Sequence, residues 1–397
     1  MIPPIIVPNP KQVLWAQNQP DQGPRILFFS GGTSLGPTSQ ALIHYTTNSI
    51  HLVTPFDSGG SSAELRRYFA MPAVGDLRNR LTALAGCAHK SGCAAVRDLL
   101  DYRLSQTATA WALKNELESL ALGRHALSQG LDDASAQILQ KLLQHFLCSI
   151  GPDFNLAGAS IGNVVLAAGY LKHDRDLDPA VQAYSQLVRS RGKVRLVINA
   201  DLHLSATLAN NQHIIGQHLL TGKEAPPLTE MIRDLHLVDP GQNMCPVRPA
   251  IDEQCRQAIL SADLICYPMG SFYSSIIANL LPAGVGQAIS QAKCPKVFVP
   301  NTFFDPESFG LSLTAQVQTL LRYLCLDGLN DMHISDVLDL VLIDPHISYP
   351  DYDQNSDLLS QGIRVMKTNL INPQTQYIDP HLLSKILISL AKINTDS

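Results

Sequence analysis

The sequence predicts an α/β fold built on an open, mostly parallel sheet with helices on both faces. Three observations carry that expectation. Short apolar runs such as Arg25–Ser30 (RILFFS) lack the alternation of a half-exposed strand, so they read as strands covered on both faces. Helical stretches separate these runs, and strands alternating with helices imply a parallel sheet with right-handed crossovers. Several runs end directly in glycine- and serine-rich stretches, as strand-to-helix connections do where an open sheet binds a ligand.

Taken in order, residues 1–24 carry six prolines and little periodicity and are expected to form an extended surface arm ahead of an α/β domain at 25–397. The first strand ends in Gly31-Gly32-Thr33-Ser34-Leu35-Gly36, and a helix is expected from Pro37, because proline is favoured at a first helical position. A second strand, Ile50–Thr54, ends in Asp57-Ser58-Gly59-Gly60-Ser61-Ser62. From about 77 to 150, leucines recur at helical spacing without a strand-like run, which reads as a helical insertion. Further helices are expected near Gly162-Asn163 and over Pro179–Arg189. Strands return at Val194–Asn199, Asp263–Tyr267, Lys296–Pro300 and Asp339–Ile343, with helices at Ile251–Leu260, Ser274–Leu281 and Leu311–Cys325. His203–Gly222 has short mixed runs suited to a small antiparallel excursion.

Composition excludes some functions. With 34 acids against 29 bases the net charge is −5, so no basic stripe is available for a nucleic-acid backbone and any anion must be bound locally. No apolar run has the roughly 18–20 residues of a membrane span, and MIPPIIVPNPKQ lacks the apolar stretch of a secretion signal, so a cytoplasmic protein without a membrane partner is expected. The 8 cysteines are scattered without a C-x-x-C pair and are read as free, mostly buried thiols. His203, His213 and His218 lie close in sequence but lack a zinc-ligand spacing.

The glycine-rich loops are the candidate chemistry. Gly31 and Gly36 are spaced as in a phosphate-binding P-loop, yet Pro37 stands where its lysine would be, and the dinucleotide fingerprint is absent too. What remains is a glycine-lined backbone whose N–H groups can face an anion, or else a plain tight turn. Without the lysine, a diphosphate suits the site better than a triphosphate. In the second loop Asp57 can hold a metal ion or a hydroxyl while Ser58, Gly59, Gly60 and Ser61 hold phosphate; the alternative is that Asp57 and Ser58 only cap the next helix. The third loop, Gly270-Ser271-Phe272-Tyr273-Ser274-Ser275, repeats the design after ADLICYP. Gly75-Asp76-Leu77-Arg78-Asn79 and Gly158–Asn163 (GASIGN) add Asp76, Arg78, Asn79, Gly162 and Asn163 at helix starts, either as ligand contacts or as caps.

In these segments the chain resembles the CofD-like family, which includes the 2-phospho-L-lactate transferases and the YvcK-type proteins once called gluconeogenesis factors. The resemblance spans about residues 25–390 and rests on SGGTSLGPTSQAL, VTPFDSGGSSAELRRYF, VGDLRNRLTALA, GASIGNVVLAA, ADLICYPMGSFYSSIIANLL and KVFVPN, in that order. It implies a Rossmann-like core with a helical insertion. One branch of the family implies a transferase that moves a phospho-group from a nucleoside-diphosphate carrier to a hydroxyl acceptor with Mg2+ present. The other implies a non-catalytic regulator that binds a nucleotide sugar, and the GGSS and GDLRN wording stands closer to it. On either branch the site would comprise Gly31, Gly32, Thr33, Ser34 and Gly36, the second-loop residues with Asp57 as catalytic and metal-holding group, and Gly270, Ser271, Tyr273 and Asn301. A homodimer is compatible with both. Two departures stand out: Ser58 replaces the second of two adjacent aspartates, and Phe304–Phe309 (FDPESF) replaces a T-Q-P-G-E-T stretch after Asn301.

Overall fold

The computed structural model describes residues 7–86, 92–328, 333–349, 358 and 361–392. The chain enters through α1 (Pro10–Asn18), then β1 (Ile26–Ser30), α2 (Gly36–Leu42), β2 (Ile50–Val53), α3 (Gly60–Phe69) and α4 (Gly75–Ala83). Five more helices precede the next strand: α5 (Gly92–Asp101), α6 (Ala110–Ala121), α7 (Asp133–Ser149), α8 (Ile161–Lys172) and α9 (Asp178–Leu187). After β3 (Lys193–Leu196) come β4 (His203–Leu208), β5 (His213–Ile215), β6 (Ile232–Asp239), β7 (Cys245–Val247) and α10 (Glu253–Leu260). The last stretch holds β8 (Leu264–Tyr267), a π-helical turn (Phe272–Ile277) running into α11 (Ala278–Leu280), α12 (Val285–Gln291), β9 (Lys296–Phe298), α13 (Leu313–Leu324), β10 (Leu340–Ile343), β11 (Arg364–Lys367) and α14 (Pro380–Leu390).

Seven strands form one sheet in the order β11-β10-β9-β8-β1-β2-β3, and every neighbouring pair is parallel. From β1 the chain steps outward through β2 and β3, then returns to the other flank of β1 as β8 and steps outward the opposite way. Such a reversal parts the loops that follow the two central strands and opens a crevice beyond their carboxyl ends. Both faces of the sheet are covered, as its apolar runs require. Leu27 and Phe29 of β1 face a layer that includes Leu204, Leu235 and Leu237 of the second sheet, whereas Ile26 and Phe28 face Leu42 of α2 and Leu383 and Leu387 of α14. Each such buried side chain contributes about 1.5–3 kcal/mol. The helical insertion has a core of its own around Leu77, Leu81, Leu117, Leu143 and Phe146.

The expected antiparallel excursion is present and larger than foreseen, a four-stranded sheet in the order β5-β4-β6-β7. Two expectations need correction. Residues 10–18 are helical, not extended: Asn9 accepts the Lys11 and Gln12 N–H groups, Pro10 opens α1, and Gln12 donates to the Ile388 and Ala391 carbonyls at the end of α14. The prolines mark helix starts there because a first-turn N–H has no intrahelical partner to lose. Six cysteines are free as expected, but Cys93 is disulfide-bonded, which the absence of a C-x-x-C spacing does not reveal. No helix among the described residues is long and apolar enough to cross a membrane.

Candidate functional site at the sheet switch point

The first loop is held from behind by a residue that its own sequence does not reveal. Arg80 of α4 is fully buried and donates to the Gly31 carbonyl at 2.8 Å, the Gly32 carbonyl at 3.3 Å and the Ser39 hydroxyl at 2.5 Å. These bonds pin the carbonyl side of residues 31–32 against α4. Gly31 and Gly32 are needed for closeness rather than for unusual torsions: a Cβ on Gly32 would lie 2.2 Å from Asp76 Oδ1, and one on Gly31 2.4 Å from Ser275 Oγ. Gly36, by contrast, has nothing within 4 Å of where a Cβ would stand.

Two carboxylates meet beside this loop. Asp57 follows β2 and Asp76 lies in the first turn of α4, whose Gly75 passes so closely that a Cβ there would be 3.0 Å from Asp57 Oδ2. Burial raises the Asp57 carboxyl above the ordinary range, aided by Glu224 and opposed by the Gly59 N–H at 3.1 Å. Burial and then the Asp57 charge push Asp76 up to about 7, with Arg80 and Lys223 opposing. Near neutral pH the pair therefore holds a proton between two like charges unless a cation joins it. Asp76, nineteen positions after Asp57, thus gives the site a second carboxylate although Ser58 does not. Arg66, itself buried, fixes the second loop by donating to the Asp57 carbonyl at 3.0 Å, the Leu202 carbonyl at 2.7 Å and Asp201. The Ser58 hydroxyl is 2.7 Å from His218 Nδ1 and accepts the His218 N–H, so it is engaged by its own chain.

The third loop differs from expectation. Several of its amides are already taken: Gly270 N–H donates to Asn301 Oδ1 at 2.9 Å, Phe272 N–H to Asp305 at 2.8 Å and Ser274 N–H to Glu307 at 2.7 Å. Asn301 also donates back to the Gly270 carbonyl, so it clamps the loop after β8 to the loop after β9. The FDPESF departure explains this capping, because Asp305 and Glu307 come from it. Burial together with the Asp305 charge pushes Glu307 up to about 7, and burial raises Asp305. Tyr273 is buried and its hydroxyl donates to the Ile232 carbonyl at 2.9 Å, which turns it toward β6 and away from the crevice.

The remaining candidates divide. Arg78 pairs with Asp101 at 3.2 Å and with Asn79 at 2.5 Å, and Gly162 lets α8 pass it, since a Cβ there would be 2.7 Å from Arg78 Cδ. Both serve packing of the insertion. Asn79 Nδ2 reaches the Gly32 position, within 3.0 Å of where a Cβ would stand. Asn163 donates to Ser61 Oγ at 2.8 Å behind the first turn of α3, while its buried Oδ1 has no hydrogen-bond partner. Helix α3 starts at Gly59, Gly60 and Ser61 with no side-chain cap. A cleft of about 430 Å³ lies over the switch point, with Thr33, Ser34, Gly270 and Ser271 on its walls. Lys223 lines it too and favours the ionised forms of Asp57, Asp76 and Asp305. It brings from the segment between β5 and β6 the cation that the first loop lacks, and no local motif announces it.

Residues 26–371 match the family described as 2-phospho-L-lactate transferase CofD. The chain belongs to the CofD family. It is 25% identical over 381 residues to the gluconeogenesis factor of Bacillus subtilis, a comparison that covers 94% of this chain and 99% of that protein. The gluconeogenesis factor of Halalkalibacterium halodurans is 25% identical over 299 residues, 75% of this chain and 73% of the relative. Among solved structures, a UPF0052 family member from Bacillus halodurans aligns with a TM-score of 0.66 at 20% identity, over 92% of this chain and 99% of that one. That likeness speaks for the α/β fold alone. Within the CofD family frame, the residues gathered at the switch point are Gly31, Gly32, Thr33, Ser34, Asp57, Asp76, Asn79, Gly270 and Ser271.

Proposed function

We propose that this CofD family member binds a nucleoside-diphosphate conjugate over the switch point and transfers a phospho-group from it to a hydroxyl acceptor. The observation that carries the reading is the Asp57–Asp76 pair, two buried carboxylates beside a glycine-lined loop, both raised by burial and Asp76 raised further by the Asp57 charge. The phosphates lie against residues 31–35 and the uncapped first turn of α3, and Lys223 supplies positive charge. The third loop contributes shape rather than amides.

The donor set also fits Mg2+. Among the described residues no group of three or more His, Cys, Asp or Glu side chains is assembled as a cation site. Two carboxylates are nonetheless what this ion ordinarily takes from protein, the rest coming from water and substrate phosphates. Asp57 and Asp76 would hold it, and the bound ion would neutralise developing phosphate charge. The protein's own part is positioning. As the acceptor oxygen bonds to phosphorus, the bond from phosphorus to the leaving phosphate oxygen breaks and the hydroxyl proton passes to the Asp57 carboxylate. Such reactions gain chiefly from alignment and charge neutralisation.

A second reading is a non-catalytic regulator that binds a nucleotide sugar; the Bacillus subtilis relative is named a gluconeogenesis factor and not a transferase. Both readings are tested by melting the protein with guanosine and uridine diphosphates, their sugar conjugates and adenosine triphosphate. At a hundredfold excess over Kd a diphosphate should stabilise by roughly 2.7 kcal/mol, more than the triphosphate does. Asp57→Asn keeps an acceptor for the Gly59 N–H and should fold normally, yet lose at least tenfold in Mg2+-dependent affinity or turnover, about 1.4 kcal/mol. A screen in which no diphosphate shifts the transition, or in which the triphosphate wins, would overturn the site. Tight binding without turnover on any hydroxyl acceptor would select the regulator.

A further inference from the structure

The cleft over the switch point is also lined by aromatic rings. Phe303 and Phe304 follow β9, and Tyr377 precedes α14; the three are 46%, 73% and 65% exposed and line the same cleft as Thr33, Ser34 and Lys223. The Phe303 and Tyr377 rings, from distant parts of the chain, have centroids 4.5 Å apart at 38°. Single exposed apolar residues are ordinary, but aromatic rings converging on one concave wall are held in water at a cost that a ligand relieves. Among the lining side chains the carboxylate is Asp305, which accepts the Phe272 N–H, and the ammonium is Lys223.

We propose that Phe303, Phe304 and Tyr377 form a stacking wall for the nucleobase of the bound nucleoside diphosphate. This rests on the phosphate site proposed above, with which the wall is continuous. Flat rings select a flat partner, because stacked aromatic faces prefer an offset parallel or edge contact that a peptide or an acyl chain does not provide. With Asp305 engaged by the Phe272 N–H, the lining has no free carboxylate to read a base edge, so the wall tolerates different bases, as stacking platforms do. The segment that departs from the family pattern thus has two tasks. Asp305 and Glu307 point inward to cap the third loop, and Phe304, at its start, faces the ligand beside Phe303, which precedes the segment.

The test uses the full chain and two probes, guanosine diphosphate and inorganic pyrophosphate, by calorimetric titration. Because Phe304 is mostly exposed, Phe304→Ala and the pair Phe303→Ala/Phe304→Ala are expected to melt like the parent. The paired variant should bind guanosine diphosphate at least tenfold more weakly while pyrophosphate affinity stays within twofold, and Phe304→Trp should restore nucleotide binding. Unchanged guanosine diphosphate affinity in the paired variant overturns the stacking wall and leaves the phosphate site standing. Equal weakening of both probes also overturns it, since the rings would then only shape the loops. A parent chain that binds neither probe removes the phosphate site itself, and the wall with it.

Discussion

Replacing Arg80 by methionine tests whether the first loop is an organised anion site or an ordinary turn. The guanidinium is fully buried, and burial lowers it from 12.5 to about 10 despite the opposing charge of Asp76. A shift of that size corresponds to roughly 3 kcal/mol of cost in holding the charge out of water. Methionine removes this cost and fills much of the stem's space, but it strands the Gly31 and Gly32 carbonyls and the Ser39 hydroxyl. Hydrogen bonds to a charged group each contribute about 1.5–3 kcal/mol, and breaking one side of a buried charged network costs about 3–5 kcal/mol. The net expectation is a loss of about 3 kcal/mol, read as a drop of several degrees in the melting transition. Arg80→Lys keeps a charge but one ammonium lacks the planar fork that serves three acceptors, so it should lie between the two and still fold. Both variants should bind a nucleoside diphosphate at least tenfold more weakly. A methionine variant that melts within a degree of the parent and binds as tightly would refute the idea that Arg80 organises the loop.

The buried Asp305–Glu307 pair makes stability depend on pH. With Glu307 raised from 4.5 to about 7, the folded chain holds a proton that the unfolded chain has released between these values, so its contribution is complete below pH 4.5 and gone above pH 7. Glu307→Gln should flatten that decline, worth up to about 3 kcal/mol, in urea titrations from pH 4 to 8. Gly32→Ala should destabilise the fold by about 1–3 kcal/mol and abolish diphosphate binding, because its Cβ meets Asp76 Oδ1 at 2.2 Å, whereas Gly36→Ala should melt like the parent; equal melting of the two would remove the close-approach argument. Tyr273→Phe should lose the hydroxyl's bonds to Ile232 and Thr319, about 1 kcal/mol, with diphosphate affinity unchanged, and a tenfold weakening would return Tyr273 to the ligand site.

The strands of the central sheet were legible because they are apolar on both faces: RILFFS and LICY offer no polar alternation to confuse with anything else. β11 escaped notice, as RVMK alternates weakly and lies at the sheet edge with only β10 to pair with. The site was half legible. Gly31, Gly32, Asp57 and Asp76 sit in local wording that announces a strand end, while Lys223 reaches the cleft from a separate sheet and carries no local mark. Arg80 did leave a trace. It lies with Leu77, Leu81 and Leu84 at helical spacing on the buried face of α4, and a cation on an apolar stripe demands an acceptor inside. Tyr273 turns away from the cleft although its loop reads like the others, because a glycine-rich loop after a strand looks the same whether its amides are free or capped, and the caps come from over thirty residues away.

The adjacency of β1 and β8 also bears on how the protein is made. Ile26 pairs with Leu264, so more than two hundred residues must be synthesised before the two central strands can join. Contacts of such separation form late, because the entropy of closing the loop precedes any reward. During synthesis the first glycine loop therefore emerges long before the segment that completes its crevice. The insertion, with a leucine core of its own, can consolidate in the interval, leaving closure of the sheet as the step that brings the strand-end loops together. A ligand that bridges both strand ends would then act on the nascent chain as well as on the finished one, by favouring the last long-range pairing over its alternatives.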